Sequence, residues 1–317
     1  CWRNARAGAG SVVVLSGEGG IGKTRLAEAL VSVAERDGAR TAIGAPGALG
    51  GAPYEMWSEV LADAVSTDCG LPQRAPWVPD LTRLFPALAA HIGVEPAVSM
   101  VTDPQHERIR LFESVVELLG VLARHRPTLL VFEDLHQADP SSLQLLGYAG
   151  RRIAKLPLLL VLTRRRLPAR AAVDGPLGRL RARGKLRTEL DLAPLRPNEI
   201  RALAHTVGSL SEAQLTQVVG IADGNPLFAV EAARHLGNGG TDPARELRAA
   251  TTALLTRLTT AGRRFVELAA VAGRELHHDE LATLPLLADP ARAATEALGT
   301  GLLRTRDGSI GFRHDLL

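Results

Sequence analysis

The chain has 317 residues, 46% of them hydrophobic and 22% charged. That is more than one compact core usually holds, and it points to two domains. The longest apolar run, Leu156 to Leu162, falls far short of the roughly 20 residues a membrane crossing needs, which excludes a helical spanning protein. Two cysteines, Cys1 and Cys69, are too few for a disulfide scaffold or a zinc cluster, and a net charge of +3 with 3% aromatic residues does not announce a nucleic-acid binder.

Ser11 to Ser16 (SVVVLS) is the short β-branched run of a buried parallel strand. Glycines follow, then a helix from Lys23 to Glu35 on which Leu26, Leu30, Val31 and Ala34 recur at helical spacing. Arg40 to Gly44 reads as a second strand and Tyr54 to Val65 as a helix, while the Pro-interrupted stretch from Leu71 to Val101 has no clear period. From Pro104 to His125, Ile109, Phe112, Val116 and Leu119 line one face of an amphipathic helix. Thr128 to Phe132 and Leu158 to Leu162 are further buried strands, separated by a helical stretch from Ser141 to Lys155, and Arg187 to Leu192 is a last strand. Strands alternating with helices predict a parallel sheet covered on both faces.

Beyond that the pattern turns to helices: Pro197 to Val207, Ser211 to Ile221 and Pro226 to Leu236, then a linker at Gly237 to Thr241. The last segment reads as three helices and a hairpin, Leu302 to Thr305 with Ile310 to Arg313, turned by Asp307-Gly308. Three helices closed by a β-hairpin is the outline of a winged helix. The expected organisation is an α/β domain over 1–193, a helical lid over 194–240 and a winged-helix domain over 241–317.

Gly17-Glu18-Gly19-Gly20-Ile21-Gly22-Lys23-Thr24 fits G-x-x-x-x-G-K-[ST], a phosphate loop between a strand and a helix. Glycines let backbone amides turn around phosphate oxygens, and the helix start adds free N–H groups and the positive end of its dipole. Lys23 brings a compact charge to the β- and γ-phosphates, and the Thr24 hydroxyl can ligate Mg²⁺. Gly17, Gly19, Gly20, Ile21, Gly22, Lys23, Thr24 and Arg25 are therefore the candidate nucleotide-binding residues, in a P-loop NTPase fold.

The segment Leu129 to Asp139 (LLVFEDLHQAD) ends an apolar strand in two acids, placing Glu133 and Asp134 at the carboxyl edge of the sheet. One would hold Mg²⁺ through water and the other would orient or deprotonate the attacking water; the residue types leave open which does which. Asp139-Pro140 reads as a helix start. Arg165, just past the strand Leu158 to Leu162, is either a γ-phosphate sensor or part of a solvated basic loop, since Arg151 to Arg187 is dense in Arg and Lys with Asp174 its single acid.

The phosphate loop, EDLHQAD, the T-x-R at Thr163 to Arg165, Gly224-Asn225-Pro226-Leu227-Phe228 and Phe312-Arg313-His314-Asp315 follow one another in a familiar order. The sequence resembles the nucleotide-binding core of signal-transduction ATPases with numerous domains, most closely the large ATP-binding LuxR-type transcriptional regulators, over Val12 to Leu317. The resemblance implies that the α/β domain, lid and winged helix close over ADP or ATP, with Pro226 against the adenine, His314 on the β-phosphate and Arg165 on the γ-phosphate. From the residues alone, Asn225-Pro226 is also an ordinary helix start and His314 a surface residue. Two departures stand out: the chain begins too late to include the Gly-Arg-Glu-type segment that the family usually has some way before the loop, and Gln137 stands where the family often has Trp.

The expected function is an ATP/ADP-binding regulatory switch with Mg²⁺ and slow hydrolysis, cut from a larger, cytoplasmic protein whose DNA-binding output domain lies elsewhere, with ATP-driven homo-oligomers conceivable. Its rivals are a turnover ATPase or phosphotransferase, the ATPase module of a cyclase or kinase regulator, and a winged helix that reads DNA. Against the last, Asp289 to Leu298 carries one arginine, Arg292, beside Asp289 and Glu296.

Overall fold

A computed structural model of the chain describes residues 1–46, 53–65, 71–95, 104–165, 171–237, 255–256, 258–272, 276–277, 280, 287–300, 302–306 and 309–312. It divides into two compact units. The first comprises Cys1–Ser16, Thr24–Arg164 and Ala169–Leu190; the second comprises Gly17–Lys23, Arg165–Pro168 and Asp191–Leu317.

The first unit is built on a five-stranded parallel sheet in the order β2-β3-β4-β1-β5, with β1 Ser11–Gly17, β2 Arg40–Gly44, β3 Thr128–Phe132, β4 Leu158–Arg165 and β5 Leu186–Asp191. The three central strands are apolar on both faces because both faces are covered, and the pleat sorts their side chains alternately. Val13, Leu15, Leu129, Val131, Leu159 and Val161 pack with Trp2 and Ala5 of α1 (Trp2–Arg6) and with Ala27, Val31 and Ala34 of α2 (Lys23–Arg36). Their neighbours Val12, Val14, Leu130, Phe132, Leu158, Leu160 and Leu162 pack on the opposite face. Parallel register holds these layers in line, with Ala42 opposite Leu130 and Leu130 opposite Leu160.

That second face carries α3 (Glu55–Val65), α4 (Val78–Leu84), α5 (Pro86–Ile92), α6 (Pro104–His125), α7 (Pro140–Arg152) and α8 (Ala171–Ala182). Asp139 caps α7 as expected, its Oδ1 accepting from the Ser142 N–H at 2.9 Å with Pro140 following. The stretch without a clear period resolves into α4 and α5, each opened by a proline and joined through Phe85. Helix α8 was not expected: Gly175, Pro176 and Gly178 read as a loop, yet Val173, Leu177 and Leu180 bury one face. Helix α1 was not expected either. Five residues show no period; instead the Trp2 indole donates to Asp37 Oδ2 at 2.8 Å and Arg6 pairs with the same carboxylate at 2.9 Å.

In the second unit α9 (Pro197–Val207), α10 (Glu212–Ala222) and α11 (Pro226–Gly237) pack around Ile200, Ala204, Leu215, Val218, Phe228 and Ala232. Ser211 and Gln214 form a capping box on α10. Further on, α12 (Thr260–Ala272) and α13 (Pro290–Gly299) pack with an antiparallel sheet ordered β6-β8-β7, from Leu276–His277, Ser309–Phe312 and Leu303–Arg306. The hairpin strands pair with Arg306 opposite Ser309; its tip and the expected linker at Gly237 to Thr241 (beyond Gly237 itself) lie outside the described residues. Glu296 of α13 accepts from the Thr259 N–H at 2.6 Å and its hydroxyl at 2.7 Å, so this acid joins two helices. Among the described residues no helix is long and apolar enough to cross a membrane.

Two expectations follow. Trp57 is fully buried, packs tilted against Phe132 with ring centroids 4.7 Å apart and donates to the Ser142 carbonyl at 3.2 Å. Trp57→Ala is expected to destabilise the first unit by about 3–5 kcal/mol, read from urea unfolding. Asp37 is held below its ordinary pKa of 3.8, first by the Trp2 indole and, against the opposing effect of burial, by Arg6. A lowered carboxylate pKa means the anchor is complete above the ordinary value and is lost as pH falls through the folded one. The protection factors of the α1 amides, corrected for the intrinsic pH dependence of exchange, should therefore fall under acid, and Asp37→Asn should lower them to the same extent at neutral pH.

Candidate functional site

The loop after β1 is shaped by glycines that no other residue replaces easily. Gly17, Gly20 and Gly22 have φ of 153°, 75° and 100°, the region that side chains avoid. Successive turns of this kind aim backbone N–H groups into one concavity, a nest for an anion. Two glycines are also needed for space. A methyl group at Gly20 would lie 2.9 Å from Asn225 Oδ1 and 2.9 Å from Leu227 Cβ, and one at Gly19 would lie 2.6 Å from the Thr300 carbonyl oxygen. Around a methyl at Gly22 nothing lies within 4 Å, so there the backbone angle alone demands glycine.

Within the second unit, then, the loop is gripped from two places far along the chain: the start of α11 and the end of α13. Asn225 makes the first grip. Its side chain is buried, Oδ1 accepts from the Leu227 N–H at 3.0 Å as the N-cap of α11, and Nδ2 donates to the Gly19 carbonyl at 3.0 Å. The sequence reading named Asn225 only as a cap and gave the site role to Pro226, which is the first residue of α11 and half-buried. The loop contact spans 206 residues, and no local pattern announces it.

Lys23 is buried as α2 begins, and its ammonium donates to the carbonyls of Gly17 at 3.2 Å and Glu18 at 2.7 Å. Ile21 is buried and Thr24 exposed. Arg25 is exposed and pairs with Glu28 one turn on, at 2.7 Å.

In the first unit, the strand β3 hydrogen-bonds to β2 for one residue beyond its apolar run: the Glu133 N–H donates to the Gly44 carbonyl at 2.8 Å. Asp134 then leaves the sheet with φ 46°, and its N–H donates to the Thr163 hydroxyl of β4 at 3.0 Å. The Asp134 carboxylate lies 3.7 Å from His136 Nδ1. Thr163 is fully buried; the sequence reading names it only as the first residue of the T-x-R motif and gives the role to Arg165, although its own signal is a hydroxyl closing the apolar run LLLVL. Glu133 is half-buried where the chain still follows the strand. Arg165 ends β4 half-buried, while its neighbour Arg164 is bonded to Asp174. His314 lies outside the described residues. No group of three or more His, Cys, Asp or Glu among the described residues has metal-cluster geometry.

In the second unit the glycine nest and the buried Lys23 are donors of the kind a polyphosphate takes. In the first unit the Thr24 hydroxyl and the Glu133 and Asp134 carboxylates, at the ends of their elements, are ligands of the kind a divalent cation takes. Asn225 offers a direct structural check. Asn225→Ala removes the cap and is expected to cost about 1–2 kcal/mol in urea unfolding. Asn225→Asp keeps the capping oxygen but cannot donate to Gly19, so it should retain most of that stability while amide exchange in residues 17–22 accelerates.

Comparison with known proteins identifies the family and the fold. Over 366 aligned positions the chain is 29% identical to an uncharacterized protein of Rhizobium meliloti, with all of this chain matched to 33% of that protein, so it spans about a third of its relative's length. Among solved structures, the ORC2 protein of Aeropyrum pernix superposes with a TM-score of 0.51 at 14% identity, covering 99% of this chain and 87% of that one, a likeness of fold. A signal transduction ATPase with numerous domains from Pyrococcus horikoshii, which carries a tetratricopeptide repeat sensor, gives a TM-score of 0.43 at 15% identity, over 99% of this chain and 40% of that one. Residues 1–162, more than half of the chain, match the model of the AAA ATPase domain, and the chain belongs to that family.

Proposed function

We propose that this chain is the nucleotide-binding switch module of a larger signal-transduction ATPase, of the kind found in LuxR-type regulators, and that it holds ATP or ADP with Mg²⁺. In this reading residues 1–193 form the nucleotide-binding domain, 194–240 a helical lid and 241–317 a winged helix. The output domain that binds DNA belongs to another part of the protein. The observation that carries the proposal is the double grip on the phosphate loop by Asn225 and by the Thr300 end of α13, both in the unit that follows the sheet. A ligand shifts a conformational equilibrium only through its differential affinity for the two states. A loop whose shape depends on α11 and α13 gives its occupant that leverage.

Each residue then has a role. The amides of Gly17 to Gly22 and the first turn of α2 receive phosphate oxygens. Lys23 exchanges its two carbonyl partners for phosphate oxygens, a charge-assisted and stronger contact. Pro226 flanks the base, and Arg165 and His314 respond to the terminal phosphates. Bound Mg²⁺-ATP would supply the cation and the scissile phosphoryl group, with Thr24 and an acid holding the metal. Of the two acids, Glu133 continues the pleat on the side of Val131, the face that α2 covers, whereas Asp134 has left the strand. We assign Glu133 the part nearer Thr24 and the metal-held water. The DNA-reading alternative is weakened by Glu296, which is committed to Thr259 on the helix that would have to read bases.

Denaturing the purified chain and chromatographing the supernatant is expected to release ADP or ATP. Lys23→Ala should come free of nucleotide, and His314→Ala should retain less ADP than the parent chain; undiminished retention in both would refute the proposal. Steady-state hydrolysis should be slow, with Glu133→Gln lowering it well beyond the effect of Asp134→Asn while both variants keep nucleotide.

A further inference from the structure

Away from the phosphate loop, the first unit carries an unbalanced positive surface where α7 and α8 end side by side. The two helices converge closely there: a methyl group at Gly150 would lie 3.1 and 3.2 Å from the Leu180 Cδ atoms. Arg151 and Arg152 close α7, Lys155 follows in a single 3₁₀ turn, Arg179 lies in the last turn of α8 and Arg183 just beyond it. Arg152 stacks on the Tyr148 ring at 3.8 Å, with Arg151 above the same ring at 5.7 Å. Within 151–189 the acids are already engaged, Asp174 with Arg164 and Glu189 with Arg181. Glu113 and Glu117 of α6 stand on the Arg152 side, Glu113 accepting from the Tyr148 hydroxyl at 3.2 Å, which leaves Lys155, Arg179 and Arg183 as the exposed cations of the cluster. Among the described residues, Arg151, Arg152, Lys155, Arg179 and Arg183 have no carboxylate partner.

Placing like charges together opposes folding unless something else uses them. Burial, and then Arg183, Arg152 and Arg179, hold the Arg151 guanidinium below its ordinary pKa, in keeping with their places at the two adjacent helix ends. The dipole of a helix end favours a cation in its last turn, but Lys155 and Arg183 stand beyond the helices they follow. Fold stability therefore leaves part of the cluster unexplained.

We infer that this surface binds the phosphodiester backbone of a nucleic-acid duplex without reading its sequence. Guanidinium groups match phosphate oxygens bidentately. A protein partner would need an apolar anchor at the centre of its contact, and among the described residues the large exposed hydrophobics (Leu26, Val33, Ile43, Ile109, Leu190 and Val271) lie outside α7, its 3₁₀ turn and α8. Single strands would need exposed rings to stack on; Tyr148 is covered by Arg152 and Trp77, in the cavity beside Arg152, is half-buried. What remains is charge alone, which suits a duplex backbone. The inference does not depend on the nucleotide reading.

Fluorescence anisotropy with a short labelled duplex of arbitrary sequence, titrated between about 50 and 200 mM salt, tests it. The 317-residue chain is expected to bind, with log affinity falling linearly with log salt. Arg179→Ala with Arg183→Ala, both at exposed positions, should weaken binding about tenfold at low salt and reduce the salt slope by about 2. A control pair of equal charge change, Arg201→Ala with Arg234→Ala, whose side chains are already paired to Glu212 and Glu231, should leave the slope unchanged. Absence of duplex binding at low salt would overturn the inference, as would equal weakening by both pairs. Displacement by polyglutamate at or below the duplex concentration would also overturn it, assigning the surface to an acidic protein segment.

Discussion

One buried amide fixes much of this molecule. Asn225 has no access to water, and both ends of its side chain are used, the oxygen by the start of α11 and the nitrogen by the phosphate loop. A buried amide deprived of one partner loses about 1–3 kcal/mol, so the two contacts enforce each other: α11 cannot shift without disturbing Gly19, and the loop cannot relax without uncapping α11. The glycine content of the loop then acquires a second cause. Gly20 and Gly19 are needed because Asn225, Leu227 and Thr300 approach too closely for a side chain, in addition to the left-handed angle at Gly20.

How much of this was legible in the sequence depends on how far apart the interacting residues are. The strands could be read almost to the residue, because a sheet covered on both faces demands unbroken apolar runs and SVVVL, TLLVF and LLLVL supply them. The phosphate loop could be read because all its information is local. Helix α8 was hidden by Gly175, Pro176 and Gly178, whose local preference is overridden by the burial of Val173, Leu177 and Leu180. The contacts of Asn225 with Gly19 and of Thr163 with the Asp134 amide span 206 and 29 residues, and pattern reading cannot reach them. It found the tripeptide Gly-Asn-Pro and attached the role to the proline, one position from the residue that touches the loop.

Each unit has a place where the chain leaves regular structure beside its candidate residues. At Glu133 and Asp134 a strand ends by borrowing a hydroxyl: Thr163 accepts the amide that has no carbonyl left on β4, which allows Asp134 a left-handed turn. A buried threonine there costs little because its oxygen is used, and it pins two strands at the edge where the acids stand. Replacing it with valine would keep the shape and strand the amide.

Within the second unit, backbone strain sits beside the residue that grips the loop. Asp223 and Gly224 take positive φ in succession, 42° and 80°. A left-handed non-glycine residue costs about 1–2 kcal/mol and persists only where its surroundings over-determine it. Here they do: the Gly224 carbonyl accepts from the Leu195 N–H at 2.8 Å, and a methyl at Gly224 would lie 2.6 Å from Pro194 Cβ. The four residues Asp223 to Pro226 can thus be taken in order. Aspartate tolerates the reversal that ends α10, glycine allows the close pass by Pro194 and Leu195, asparagine caps α11 while holding the loop, and proline starts a helix where an N–H would have no partner. Each residue type answers a different physical demand, and a change at any of them would be felt first at Gly19.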